Sequence, residues 1–270
     1  MRPVAWLRRL VAVVGLALAT VAVGLAAAAL VRRPPSAART LSAAHTALPA
    51  PIQPAFRPGP ARPLGSTRFL SYYAPVLRDV AVRAAPAASA PVVAQLSAQT
   101  PEGTDNVVQA LGHGQDRTGA PWVRVLPATL PNGTTGWVPR SALGGYGTVD
   151  TRLEVDLTTL RATLYRAGRP ILRAPVGVGM AGWATPRGRF YIRDKLTRYS
   201  SPAYGPIAFG TSARSPTATD WPAGGFVGIH GTDQPQLLPG HVSHGCIRMR
   251  NADILRLASE MPIGTPLIIR

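Results

Sequence analysis

The chain has 270 residues, 46% of them hydrophobic, which is room for one or two folded domains with extensions and a sizeable core. Its net charge is +17, yet lysine occurs once, at Lys195, so the excess is a bias toward arginine rather than a binding device. Residues 1–70 carry nine arginines and no acid, and the remainder contributes +8, with no zinc-finger spacing and no aromatic–glycine RNA motif. Nucleic acid is therefore excluded as a partner, and an anionic envelope suits the charge better.

Arg2, Arg8 and Arg9 precede an uncharged run from Leu10 to Val31, closed by Arg32-Arg33. Those 22 residues are enough to cross a bilayer at about 1.5 Å per residue. The run lacks a polar face and exceeds the usual apolar core of a signal peptide, so residues 1–33 are expected to be a retained membrane anchor. Leu25-Ala26-Ala27-Ala28-Ala29 also offers a small-residue cleavage site, and both outcomes export everything that follows. Residues 34–70 are proline- and alanine-rich, with eight prolines between Pro34 and Leu64, and read as a semi-rigid linker.

Short apolar runs broken by turns then begin: Val80-Ala81-Val82, Val92 to Leu96, Val107 to Leu111, Trp122 to Val125 and Gly136-Trp137-Val138. Strands of this length at this spacing predict a small β-barrel over residues 71–146. The stretches Val80 to Pro86 and Gly136 to Leu143 resemble bacterial SH3-like domains, which implies a unit that holds wall peptide or glycan. The alternative is a spacer whose Trp122 and Trp137 are core residues.

Residues 147–270 form the second expected domain, with 148–270 expected to contain all the chemistry and to be separable. Leu153 to Leu157 alternates as a half-buried strand, Arg161 to Tyr165 follows, and a turn at Ala167-Gly168 leads into Ile171 to Val178. Thr185-Pro186-Arg187-Gly188-Arg189-Phe190 is a turn feeding the strand Phe190-Tyr191-Ile192, and its role is architectural. Phe226 to Ile229 is a strand that delivers His230 at its end. Asn251 is expected to cap a helix over 252–261, with Ile254, Leu255, Leu257 and Ala258 toward the core, before a last strand over 266–269.

Chemistry concentrates in Ser243-His244-Gly245-Cys246-Ile247-Arg248, which holds the only cysteine of the chain. A free thiol ionises near ~8.5 and needs a base or cation beside it to become a nucleophile. His230 and His244 are the candidate bases, able to take the thiol proton and return it to a leaving amine. Gly245 leaves backbone N–H groups open to a carbonyl substrate. A lone cysteine is also commonly a small buried hydrophobe, and His241, His244, Cys246 and His230 form an alternative, crowded metal set.

Ile229-His230-Gly231-Thr232 followed by Ser243 to Arg248 resembles the signature of the bacterial L,D-transpeptidases, and Thr185 to Phe190 resembles the family's Thr-Pro-x-Gly-x-Phe. The resemblance covers residues 148–270 and implies a mainly β fold: membrane helix, SH3-like barrel, then a β-rich catalytic domain with a short helix. It implies that Cys246 attacks the peptidoglycan stem between its third residue and D-alanine, and that the acyl group passes to a neighbouring amine or to water. His230 is then the base, oriented by the Gly231 carbonyl; His244 supports the site; Gly245 and Cys246 supply oxyanion donors. Arg248 and Ser243 fall at substrate-binding positions, and the loop from Thr232 to Val242 at the acceptor entrance. No cofactor and no metal are implied, and carbapenem acylation is implied only for an accessible nucleophilic thiol. Partners are stem peptides, the membrane and anionic wall polymers; the location is the cell envelope, outside the cytoplasm. The alternatives are a wall-binding protein with an inert catalytic domain, or an L,D-carboxypeptidase. A papain-like peptidase is disfavoured because its cysteine precedes its histidine, and a sortase because no Thr-Leu-x-Thr-Cys stretch occurs.

Overall fold

Two β-sheets built from consecutive halves of the folded chain meet along a shared, partly polar seam. The computed structural model describes residues 62–63, 69–197, 201–217 and 225–270, all within one compact unit, Pro54–Arg270. The membrane-segment expectation for 1–33 and most of the linker expectation for 34–70 fall outside the described residues. Among the described residues no helix is long and apolar enough to cross a membrane.

The first sheet has eight strands: β1 (Arg62–Pro63), β2 (Ser71–Pro75), β3 (Val80–Arg83), β4 (Val92–Leu96), β5 (Val107–Gln115), β6 (Pro121–Leu126), β7 (Gly136–Pro139) and β8 (Gly147–Val149). Every apolar run expected as a strand is one, and the order is β4-β3-β7-β6-β5-β2-β8, with β1 on β5. Alternation places Val82, Val108, Val123, Val125 and Val138 in one buried cluster. Trp122 belongs to the core, its indole N–H donating to Asp116 Oδ2 at 3.2 Å, whereas Trp137 is only half-buried. Strand β8 pairs with β2, so residues 147–149 complete the first sheet and the expected boundary at 146/147 moves to 149/150.

The second sheet has ten strands: β9 (Thr151–Asp156), β10 (Arg161–Arg166), β11 (Arg169–Pro175), β12 (Gly177–Gly179), β13 (Gly188–Leu196), β14 (Ala208–Arg214), β15 (Phe226–His230), β16 (Gly240–Ser243), β17 (Ile247–Arg248) and β18 (Pro266–Ile269). The β10–β11 hairpin turns at Ala167 and Gly168, both at positive φ (48° and 78°), the pairing that matches the strand twist. The expected single strand over 171–178 is two, broken at Val176, so that the second half pairs with β16 and β17.

Among the described residues the α-helix is α1 (Asn251–Glu260), which packs Ile254, Leu257 and Ala258 into the main core. Leu255 does not join them: it lies 48% exposed, because one residue rotates about 100° around a helix. Asn251 is not the cap either. It is the first helical residue, and its Oδ1 accepts the Thr232 N–H at 2.9 Å, holding the loop after His230 instead of the helix end.

Contacts across the seam tie the two sheets together. Val107, Leu126 and Tyr191 form a buried cluster across it, and the Tyr191 hydroxyl donates to the Val107 carbonyl at 3.1 Å. Arg193, 2% exposed, reaches Glu102 of the first sheet's β4–β5 connection at 2.8 Å. Asn132 and Arg214 exchange two hydrogen bonds, at 2.7 and 3.0 Å. Removing one partner of a buried ion pair costs about 3–5 kcal/mol. Residues 150–270 expressed alone are therefore expected to melt on the order of 10 °C below the whole folded unit. Equal melting temperatures in thermal scans would show that the seam contributes nothing.

Candidate active site

Strands β15 and β17 run parallel, pairing Ile229 with Ile247 and His230 with Arg248. Side chains alternate along a strand, so this register divides the motif between two faces. Val227, Ile229, Ile247 and Met249 point into the core, each no more than 2% exposed. His230, Cys246 and Arg248 take the other face, where they line a cavity of about 300 Å³ together with Tyr204, Phe226 and His244. Two isoleucines flanking the catalytic-type residues thus aim them.

His230 is buried, and its Nδ1 lies 2.6 Å from the Gly231 carbonyl oxygen. A carbonyl only accepts, so Nδ1 carries the proton and Nε2 is left with a lone pair. Burial lowers the imidazole pKa from 6.5 to about 4, with Arg248 adding to the fall and the Gly231 bond opposing it. The ring is therefore neutral at pH 7 and able to accept a proton. The Tyr204 ring packs against it at 4.6 Å between centroids.

Cys246 is half-buried, and its Sγ accepts the Gly228 N–H at 3.4 Å. Burial pushes the thiol pKa up, while the Gly228 N–H and the Arg248 charge pull it back. The resting pair is thus thiol and neutral imidazole, and an imidazole can remove the proton as attack proceeds.

The turn that carries the thiol is braced by two hydroxyls. Ser243 Oγ donates to the Cys246 carbonyl at 2.6 Å and accepts the Gly245 N–H at 3.1 Å. Thr185 Oγ1 donates to the Gly245 carbonyl at 2.8 Å and accepts the Gly179 N–H at 2.9 Å. Gly245 sits at φ +116°, a conformation that L side chains rarely adopt, so glycine is needed for the backbone as well as for access. Its N–H is engaged by Ser243, which corrects the expectation of a free oxyanion donor there. Ser243, 1% exposed, borders the cavity while its hydroxyl is engaged within the turn.

The two remaining histidines separate. His244 is exposed at the cavity rim, edge-on to Trp183 at 5.0 Å. His241 sets its Nδ1 against the Gly179 carbonyl at 3.1 Å. Among the described residues no three His, Cys, Asp or Glu side chains gather where a metal could be held, so the four-ligand alternative is not assembled. Arg248 Nε is buried without a hydrogen-bond partner, beside the thiol.

The loop from Thr232 to Val242 lines none of this cavity; the walls come from Ala203-Tyr204 and Gly225 to Val227. Tyr204 and Trp183 carry no spacing signal in the sequence, and Phe226 reads there only as the start of a strand. A larger hollow of about 650 Å³, lined by Phe69, Tyr72, Arg152 and Arg189, holds no thiol–imidazole pair.

A thiol, a neutral imidazole of fixed tautomer and a lone guanidinium on one concave face are the parts of an acyl-transfer site. Residues 150–269 match the model of the L,D-transpeptidase catalytic domain, YkuD. The YkuD proteins of Bacillus licheniformis and Bacillus subtilis are 38% and 35% identical to this chain over 122 residues, which are 45% of it and 67% of each relative. The catalytic domain of the Enterococcus faecium L,D-transpeptidase is 27% identical, with a TM-score of 0.35, over 45% of this chain and 97% of that one. The chain belongs to the L,D-transpeptidase family.

Proposed function

We propose that the protein cross-links peptidoglycan by acyl transfer through Cys246. The thiol attacks the carbonyl joining the third stem residue to D-alanine, and its proton moves to His230 Nε2. Collapse of the tetrahedral intermediate returns that proton to the departing D-alanine amine and leaves a thioester on Cys246. The side-chain amine of a neighbouring stem's third residue then attacks, or water does, and the thiol is released. The Cys246 N–H is the oxyanion donor we retain, with Ser243 and Thr185 holding the turn that presents it. Arg248 is suited to the D-alanine carboxylate, since a guanidinium matches a carboxylate in charge and shape. His244, at the rim, serves as support.

The observation that carries this reading is the common face of His230, Cys246 and Arg248, opening on one cavity in a member of this family. Incubating purified protein with a defined tetrapeptide stem should release D-alanine and yield a stem dimer or the tripeptide, resolved by mass spectrometry. A folded protein that releases no D-alanine would instead be a wall-binding protein with an inert domain, and tripeptide alone would make it an L,D-carboxypeptidase.

We read the first sheet as an SH3-like, wall-facing unit, supported by its short strands and by the Val80 to Pro86 and Gly136 to Leu143 stretches. The apolar run from Leu10 to Val31 supports a membrane-tethered, extracytoplasmic location. The arginine excess supports contact with anionic wall polymers. Fractionation with N-terminal sequencing tests the tether: a soluble product beginning near residue 30 would remove it.

A further inference from the structure

Phe226 belongs to two hollows at once. It walls the cavity of Cys246 and His230, and it also walls a cleft of about 360 Å³ between the two sheets, lined by Ser97, Thr100, Asn106, Arg193 and Arg214. Two guanidinium groups approach its ring: Arg193 at 4.0 Å from the centroid and Arg214 at 4.9 Å. Such cation–π contacts favour one ring placement over others, most where water is excluded. Arg193 is 2% exposed, so its contact is of that kind.

Neither arginine is positioned by the second sheet alone. Arg193 Nη2 pairs with Glu102 Oε2 at 2.8 Å and only more distantly, at 3.6 Å, with its neighbour Asp194. Burial raises the Asp194 pKa, with Arg193 lowering it and Glu102 raising it again, so the three groups behave as one cluster. At Arg214 the backbone is clamped by Asn132, which accepts its N–H at 3.0 Å and donates to its carbonyl at 2.7 Å. That clamp sits at the far end of a register slip in the β14–β15 ladder, between Gly210 and Arg214. Arg214 pairs with Phe226 immediately after the slip.

We propose that the first sheet positions a wall of the catalytic cavity: Glu102 and Asn132 fix Arg193 and Arg214, and these fix Phe226. The first sheet is then part of the acyl-transfer machinery rather than an appended module, and Phe226 sets how bulky a donor can reach Cys246. This deepens the transpeptidase reading and rests on it only for the identity of the donor.

The test is a double-mutant cycle in the full chain. Asn132→Ala and Glu102→Gln are each combined with Phe226→Ala, and folding is checked by thermal melting. Because Cys246 is the only thiol, its alkylation by small iodoacetamide and by bulky N-phenylmaleimide reports cavity shape without requiring turnover. Each first-sheet variant is expected to raise the bulky-to-small rate ratio about threefold or more, and to change it little once Phe226 is alanine, as coupled neighbours do. kcat/KM for a stem tetrapeptide should shift in the same non-additive way. Unchanged ratios in both single variants, or equal shifts with and without Phe226, would overturn the proposal. Wild-type protein that releases no D-alanine would refute the transpeptidase reading, while the alkylation ratios would still decide this one.

Discussion

Cys246→Ala is expected to abolish formation of any covalent acyl-enzyme, with either a stem tetrapeptide or a carbapenem as donor. No second thiol exists in the chain to substitute for it. The hydroxyls nearby are committed: Ser243 Oγ is used in both directions within the turn, and Thr185 Oγ1 bridges Gly245 and Gly179. The variant should remain folded, because Cys246 is half-buried on the cavity face while the neighbouring core contacts belong to Ile247 and Met249. A loss confined to one small side chain outside the core typically costs about 1 kcal/mol. Intact-protein mass spectrometry after single-turnover mixing gives the answer directly. An adduct of full occupancy on Cys246→Ala would transfer the nucleophile to another residue.

Much of the fold was legible because its strands are short, alternating and separated by glycine and proline. The runs at Val80, Val92, Val107, Trp122 and Gly136 all became strands, and Ala167-Gly168 became the hairpin turn. What failed were features decided by tertiary partners. Residues 147–149 fall in the expected second domain, but Thr148 pairs with Tyr72 in the first sheet. Asn251 has the composition of a cap, and only the chain folding back from Thr232 reveals its real partner. Strand β14 went unread because it is buried on both faces and lacks alternation. The seam was invisible for the same reason: nothing local in Glu102 or Asn132 announces a contact 91 or 82 residues away.

The site was legible in its chemistry and less so in its walls. A composite motif marks Cys246, His230 and Arg248, and the parallel pairing of β15 and β17 is what sets the three on one cavity. The Gly231 carbonyl, expected to orient His230, lies at 2.6 Å from Nδ1. The donor side was misread at Gly245, since the i-to-i+2 bond from its N–H to Ser243 depends on a turn geometry that composition does not specify.

His230→Ala is expected to slow acylation by about 10²–10⁴-fold, the usual worth of a positioned general base, while His244→Ala changes it far less. The asymmetry follows from placement. His230 is buried with its tautomer fixed, whereas His244 stands exposed at the rim against Trp183. The buried imidazole also predicts an unusual acid limb. With a pKa of about 4 in the folded protein, acylation should persist at pH 5, where an ordinary imidazole near 6.5 would be largely protonated and unable to accept. Stability should respond as well. Below pH 6.5 the unfolded chain takes up a proton that folded His230 refuses, so stability is full above 6.5, falls as pH drops toward about 4 and levels off below. A shift of that size corresponds to about 3 kcal/mol. Denaturant unfolding at pH 7 and pH 4.5, compared between wild type and His230→Ala, isolates this contribution from that of the carboxylates. An equal acid loss in both proteins would mean that His230 titrates normally, and an acylation rate halved near pH 6.5 would say the same from the kinetic side. Near-normal acylation in His230→Ala with collapse in His244→Ala would exchange the two histidines' roles.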